Sequence, residues 1–112
     1  MTAAVDRIIR ATEAWCLDNP GLYVDVGHDP EAAGGAGVFV FDIVAENRGA
    51  GIGSRFLGWL GTLADTEGLP IRLYAVPEKG YREKLVGWYE RHGFERISAI
   101  GLAAQEMRRS PR

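Results

Sequence analysis

Residues 45–57 read AENRGAGIGSRFL. In this stretch Arg48, Gly49, Ala50, Gly51, Ile52, Gly53 and Ser54 set one guanidinium and three glycines ahead of an apolar run with helical spacing. The first turn of a helix leaves about four backbone N–H groups unpaired, and the aligned peptide dipoles put about half a positive charge there. Stripping side chains from such a loop lets an anion come within hydrogen-bond distance of those amides. The chemistry on offer is the binding of a phosphate or pyrophosphate by main-chain donors, with Arg48 at the mouth. A glycine-rich strand-to-helix turn that holds no ligand accounts for the same residues and stays open as the alternative.

Two other phosphate motifs fit less well. A Walker loop needs Gly-Lys-Ser/Thr, but Gly53 is followed by Ser54 and the loop has no lysine. A dinucleotide fingerprint would put a third glycine where Ser54 stands, and an acid at the end of the next strand, IRLYAV, which has none.

The flanking elements decide whether such a loop is positioned to work. Residues 3–17 space Val5, Ile8, Ile9 and Trp15 as an amphipathic helix, stopped by Asn19, Pro20 and Gly21. LYVDVG (22–27) and GVFVFDIVA (37–45) are strands joined by a turn, and they predict a hairpin. From Ile52 the period becomes helical, with Phe56, Trp59, Leu60 and Leu63 on one face, until Gly68 and Pro70 end it. IRLYAV (71–76) is the third strand. Leu85, Val86, Trp88 and Tyr89 mark another helix, closed by Gly93 in a capping position. FERISAI and AAQEMRR close the chain as two strands around Gly101. The order α-β-β-α-β-α-β-β predicts an α/β (α+β) fold: one domain over 1–112, with a mixed central sheet and helices covering its faces.

With the elements in place, the loop reads Arg-x-x-Gly-x-Gly after a strand, and WYERHGF (88–94) ends a later helix. That pair of motifs resembles the GNAT superfamily of acyl-CoA N-acyltransferases, over about two-thirds of the chain from residue 37 onward. A looser likeness, in GIGSRFL, GLPIRLYAVPE and EMRR, is to the short anti-CRISPR acetyltransferases. The resemblance implies a GNAT-like sheet, acetyl-CoA as the acyl donor and a primary amine as acceptor, on a protein or a small molecule. It implies that the amides from Gly49 through Ser54 contact the CoA pyrophosphate, with Arg48 shaping the loop. It implies that the main chain of Phe41, Asp42 and Ile43 pairs with the pantetheine arm, and that Tyr89 protonates the departing thiolate. A phenol with a pKa near 10 is protonated at neutral pH and suits that task. No covalent enzyme intermediate and no metal are implied. A non-catalytic CoA-binding or protein-interaction module that kept this fold is the alternative.

The sequence departs from the family pattern in several places. Arg82 stands where many relatives have an asparagine, and Ala75 where some have a glutamate base. Asp42, Glu46 and Glu78 are the nearby carboxylates, none of them an obvious base. The family's first strand and one N-terminal helix have no counterpart, which predicts an open acceptor groove completed by a second subunit of a homodimer or by a protein substrate. His28 and His92 read as surface or capping residues.

Composition sets outer bounds. The chain has 112 residues, a net charge of −2 and a single cysteine, Cys16. That charge gives no broad nucleic-acid surface. One cysteine forms no internal disulfide or cysteine metal cluster, and Cys16 reads as buried filler. No apolar run approaches the roughly 20 residues that cross a membrane. The setting predicted is the reducing cytoplasm.

Overall fold

The computed structural model describes residues 3–46, 51–77, 80–101 and 103–112. Its elements are α1 (Ala3–Asp18), β1 (Leu22–His28), a short 3-10 turn (Ala33–Gly35), β2 (Val38–Ala45), α2 (Ile52–Glu67), β3 (Ile71–Ala75), α3 (Arg82–Arg91), β4 (Glu95–Ile100) and β5 (Ala104–Arg109). The helix and strand order is the one the periodicities predict. The five strands form one mixed sheet in the order β1-β2-β3-β5-β4, parallel only between β2 and β3.

All three helices lie on one face of this sheet, a difference from the expectation that helices cover both. The register shows it. Val38 pairs with Ile71 and His28, Ile71 with Arg109, and Leu73 and Arg96 with Met107, so these residues share a side. On that side His28 Nε2 meets Asp6 of α1 at 2.8 Å. Arg109 donates to both oxygens of Asp65 on α2, at 2.7 and 3.0 Å. Arg96 reaches Glu83 and Glu90 of α3. The bond from Arg109, helped by the Arg112 amide, holds the Asp65 carboxyl down at about 2, so this tie between α2 and β5 is intact throughout the neutral range.

The core explains why the helices stay there. Phe56, Leu60 and Ala64 recur every four residues and bury one stripe of α2 against Val38, Val40, Ile71 and Leu73. Val5 and Ile8 bring α1 onto the same core, and Val86 does so for α3. Trp15 meets Phe56 edge-on at 5.3 Å and stacks on Trp59 at 5.9 Å, which seals α1 to α2. Among the described residues no helix is long and apolar enough to cross a membrane.

The opposite face carries no helix among the described residues and is covered by its own side chains. Arg72 lies over the Phe39 ring at 4.6 Å and over Tyr74 at 5.4 Å. Its guanidinium bonds both oxygens of Asp29, at 2.8 and 2.9 Å, and reaches Glu31, Glu106 and the Tyr74 hydroxyl oxygen. Arg72 and Asp29 are buried, so each depends on the other for its charge to be tolerated. The Arg72 hydrogen bond holds Asp29 below the usual carboxylate range.

Candidate active site

The site begins where the sheet comes apart. β2 and β3 pair only through Val38–Ile71, Phe39–Arg72 and Val40–Leu73, although β2 runs on to Ala45 and β3 to Ala75. On its other side β2 stays paired with β1 as far as Leu22–Ala45. Past Val40, therefore, the β3-facing edge of β2 has no strand partner among the described residues. The register gives a cause: Asp25 faces Asp42 and Val26 faces Val40, so Phe41 is one extra residue on β2. A bulge of that kind bends the strand that carries it, here away from β3.

A cleft of about 870 Å³ opens in the gap. β2 contributes Val40 to Ala45, α2 its first residues, β3 Leu73 and Tyr74, and α3 the face carrying Lys84, Trp88, Tyr89 and Arg91, with Tyr81 just ahead of it. The candidates Phe41, Asp42, Ile43, Gly51, Ile52, Gly53, Ser54 and Tyr89 thus border one space. Arg48, Gly49, Ala50 and Glu78 lie outside the described residues.

The start of α2 is an open set of donors. Its first helical bond runs from the Arg55 N–H to the Gly51 carbonyl, 3.0 Å, so the amides of Ile52, Gly53 and Ser54 lie ahead of the ladder. No side chain caps this end. Two glycines have separate local reasons. Gly51 sits at φ 80°, in the left-handed region. At Gly53 a Cβ would stand 3.2 and 3.3 Å from the Trp88 ring. Trp88 is held there by its own bond, Nε1 to Ser54 Oγ at 2.8 Å, which ties α3 to the start of α2.

Tyr89 closes the other wall. It is 8% exposed, packed against Trp88 at 4.9 Å and Phe94 at 5.7 Å. Its hydroxyl makes no hydrogen bond to any described residue. Burial, and then the charge of Asp42, push the phenol up to about 12, so its proton is firmly held at neutral pH.

The remaining candidates fall elsewhere. Arg82 turns toward Gln105 of β5 (3.3 Å) and does not border the cleft. Ala75 is buried in the core, and Glu46 caps the hairpin through its N–H to the Gly21 carbonyl. His28 ties β1 to α1, and His92 ends α3 beside Trp88. Burial pushes the Cys16 thiol up. Among the described residues no group of three or more His, Cys, Asp and Glu is placed to hold a metal ion. Motif reading missed Lys84, Trp88 and Arg91 as a cleft wall. Their signal was present as spacing, since positions 84, 88 and 91 share one helical face.

No protein-family model matches the sequence, and no curated protein does. Among solved structures, the anti-CRISPR protein AcrVA5 superposes with a TM-score of 0.61 at 26% identity, over 80% of this chain and 90% of that one. A chain of the NatC complex bound to Gag peptide and CoA gives 0.60 at 16% identity, over 98% and 90%. PH1933 from Pyrococcus horikoshii OT3 gives 0.57 at 20% identity, over 92% and 74%. The fold is GNAT-like, as the two motifs imply.

Proposed function

We propose, from this GNAT-like fold, that the chain transfers an acetyl group from acetyl-CoA to a primary amine. One observation carries the reading. The unpartnered edge of β2, the uncapped start of α2 and the Tyr89 side chain border the same cleft. The NatC neighbour was solved with CoA and a peptide, which supports a CoA-type ligand for this cleft as well.

Bound acetyl-CoA would supply an activated acetyl group, whose carbon–sulfur bond breaks as a carbon–nitrogen bond to the amine forms. In this reading the amides of Ile52, Gly53 and Ser54 hold the pyrophosphate at the positive end of α2, with Arg48, Gly49 and Ala50 completing the loop. Lys84 and Arg91 add positive charge from the α3 wall. The main chain of Phe41, Asp42 and Ile43 takes the pantetheine arm in place of a strand partner, and an amide of that segment polarises the carbonyl. Tyr89 gives the proton on its hydroxyl to the leaving sulfur. Burial that raises the phenol raises a thiol in the same cleft too, so the departing thiolate becomes a stronger base toward that proton than it is in water. With alanine at position 75, the amine loses its proton to water.

A melting series tests the reading. Saturating acetyl-CoA or CoA should raise the melting temperature, and ATP or NAD at the same concentration should raise it less. Equal protection by all four would reduce the cleft to a general phosphate site. Stabilisation by CoA with no thiol release on any amine would leave a CoA-binding module.

A further inference from the structure

The charged residues that border the cleft, among those described, are Asp42 on β2 and Lys84 and Arg91 on α3. Asp42 lies at the Tyr89 end, where its charge acts on the phenol. Lys84 and Arg91 are exposed and have no ion pair among the described residues. Elsewhere Arg7, Arg72, Arg96 and Arg109 each hold a carboxylate. The carboxylates next to the two cations in sequence, Glu83 and Glu90, both turn to Arg96 instead. A surplus of positive charge is thereby left on the cleft side of α3.

Gly87 lies between these two cations in the middle of the helix. A glycine there is destabilising relative to alanine, and no close contact calls for this one. Where its Cβ would stand, the one neighbouring atom within 4 Å among the described residues is Nη1 of Arg91, at 3.7 Å. The Arg91 side chain thus folds back along α3 over Gly87, toward Lys84 about one turn earlier. The result is a bare strip of helix with a cation at each end.

The strip lies where a long ligand would reach it. With about 3.6 residues per turn, successive side chains of α3 point about 100° apart. Trp88 is bonded to Ser54 at the start of α2. Seen from Trp88, Tyr89 lies about 100° to one side, and Lys84, Gly87 and Arg91 lie about 40° to 100° to the other. A ligand running from the phenol past the start of α2 therefore meets this strip next.

We propose that Lys84, Gly87 and Arg91 form a site for the 3′-phosphate of CoA, through which the protein selects CoA over dephospho-CoA. This rests on the transfer reading above, which places the thioester at Tyr89 and the pyrophosphate on the amides of α2. The 3′-phosphate is a further anion, with a charge between about −1.5 and −2 at neutral pH. The amides at the helix start are engaged by the pyrophosphate, so this second anion needs cations of its own. A phosphate monoester presents several acceptor oxygens, enough for an ammonium and a guanidinium to bond it together. Dephospho-CoA lacks this group alone and keeps the pyrophosphate and the pantetheine arm.

Isothermal titrations with CoA and with dephospho-CoA test the proposal, on the parent protein and on the double variant Lys84→Gln with Arg91→Gln. The parent should bind CoA at least about tenfold more tightly than dephospho-CoA. In the double variant that preference should vanish, through weaker binding of CoA, and either single substitution should reduce it. The melting temperature of the double variant should match the parent's, because both side chains are exposed and hold no carboxylate among the described residues. Equal affinity of the parent for the two ligands overturns the proposal and leaves the transfer reading standing. So does a double variant that loses both ligands alike, since the cations would then grip the pyrophosphate that both ligands carry. Binding of neither ligand overturns the transfer reading and the proposal with it.

Discussion

Replacing Tyr89 with phenylalanine is expected to slow amine-dependent thiol release from acetyl-CoA by about a hundredfold or more, the usual contribution of a positioned proton donor. CoA affinity and melting temperature should barely move. The structure makes the two halves of that expectation separable. The ring packs on Trp88 and Phe94, and phenylalanine keeps those contacts. The hydroxyl has no hydrogen-bond partner among the described residues, so its removal strands no buried group. With the phenol at about 12, this group adds no falling limb to a rate profile up to about pH 10, where an unperturbed tyrosine would. A Y89F enzyme with undiminished turnover would remove Tyr89 from the chemistry and return it to the core. A large drop in melting temperature would mean that the hydroxyl has a structural task.

The second large effect is expected at the start of α2. Gly53→Val should weaken CoA binding tenfold or more, about 1.4 kcal/mol, and should also lower the melting temperature. A valine brings its Cβ to 3.2 and 3.3 Å from the Trp88 ring, so the indole must give way and its bond to Ser54 is strained. The indole that shifts is a wall of the cleft, and it stands against the helix start whose amides are the proposed pyrophosphate donors. An isothermal titration with CoA, beside a melt, reads both. If G53V melts lower yet binds CoA as well as the parent, the glycine serves only the packing of α2 on α3, and the loop is the ligand-free turn.

Much of the architecture is legible in the chain because its punctuation is strong. Alternation in LYVDVG and FVFDIV, four-residue spacing through Phe56 and Leu60, and stops at Pro20, Gly68 and Gly93 assign nearly every element within a residue or two. Gly51 to Ser54 and Tyr89, which border the cleft, stand out in the sequence because each lies inside a short local motif. Relations across the sheet are what local patterns do not carry. Nothing near residue 41 announces that β2 holds one residue more than β1, yet that bulge accompanies the opening of the cleft. Nothing near Arg72 shows that Asp29, 43 positions earlier, will be its partner. That network covers the second face in place of a helix, and for that reason the expectation of helices on both faces did not hold. The glycines carry a further lesson. Gly51 and Gly53 suggest anion access, but a left-handed φ and the closeness of Trp88 would require them in any case. Their presence alone does not distinguish a cradle from a turn, whereas an uncapped helix start beside an unpaired strand edge favours the cradle.

The central claim is that CoA lies between the start of α2 and the free edge of β2. Backbone amide mapping by NMR during a CoA titration tests it most directly. The predicted result is saturable shifts concentrated at Ile52, Gly53 and Ser54 and at Phe41, Asp42 and Ile43, with smaller ones along the α3 wall at Lys84 and Arg91. Shifts that appear elsewhere while these two segments stay still, or none at millimolar CoA, would contradict it.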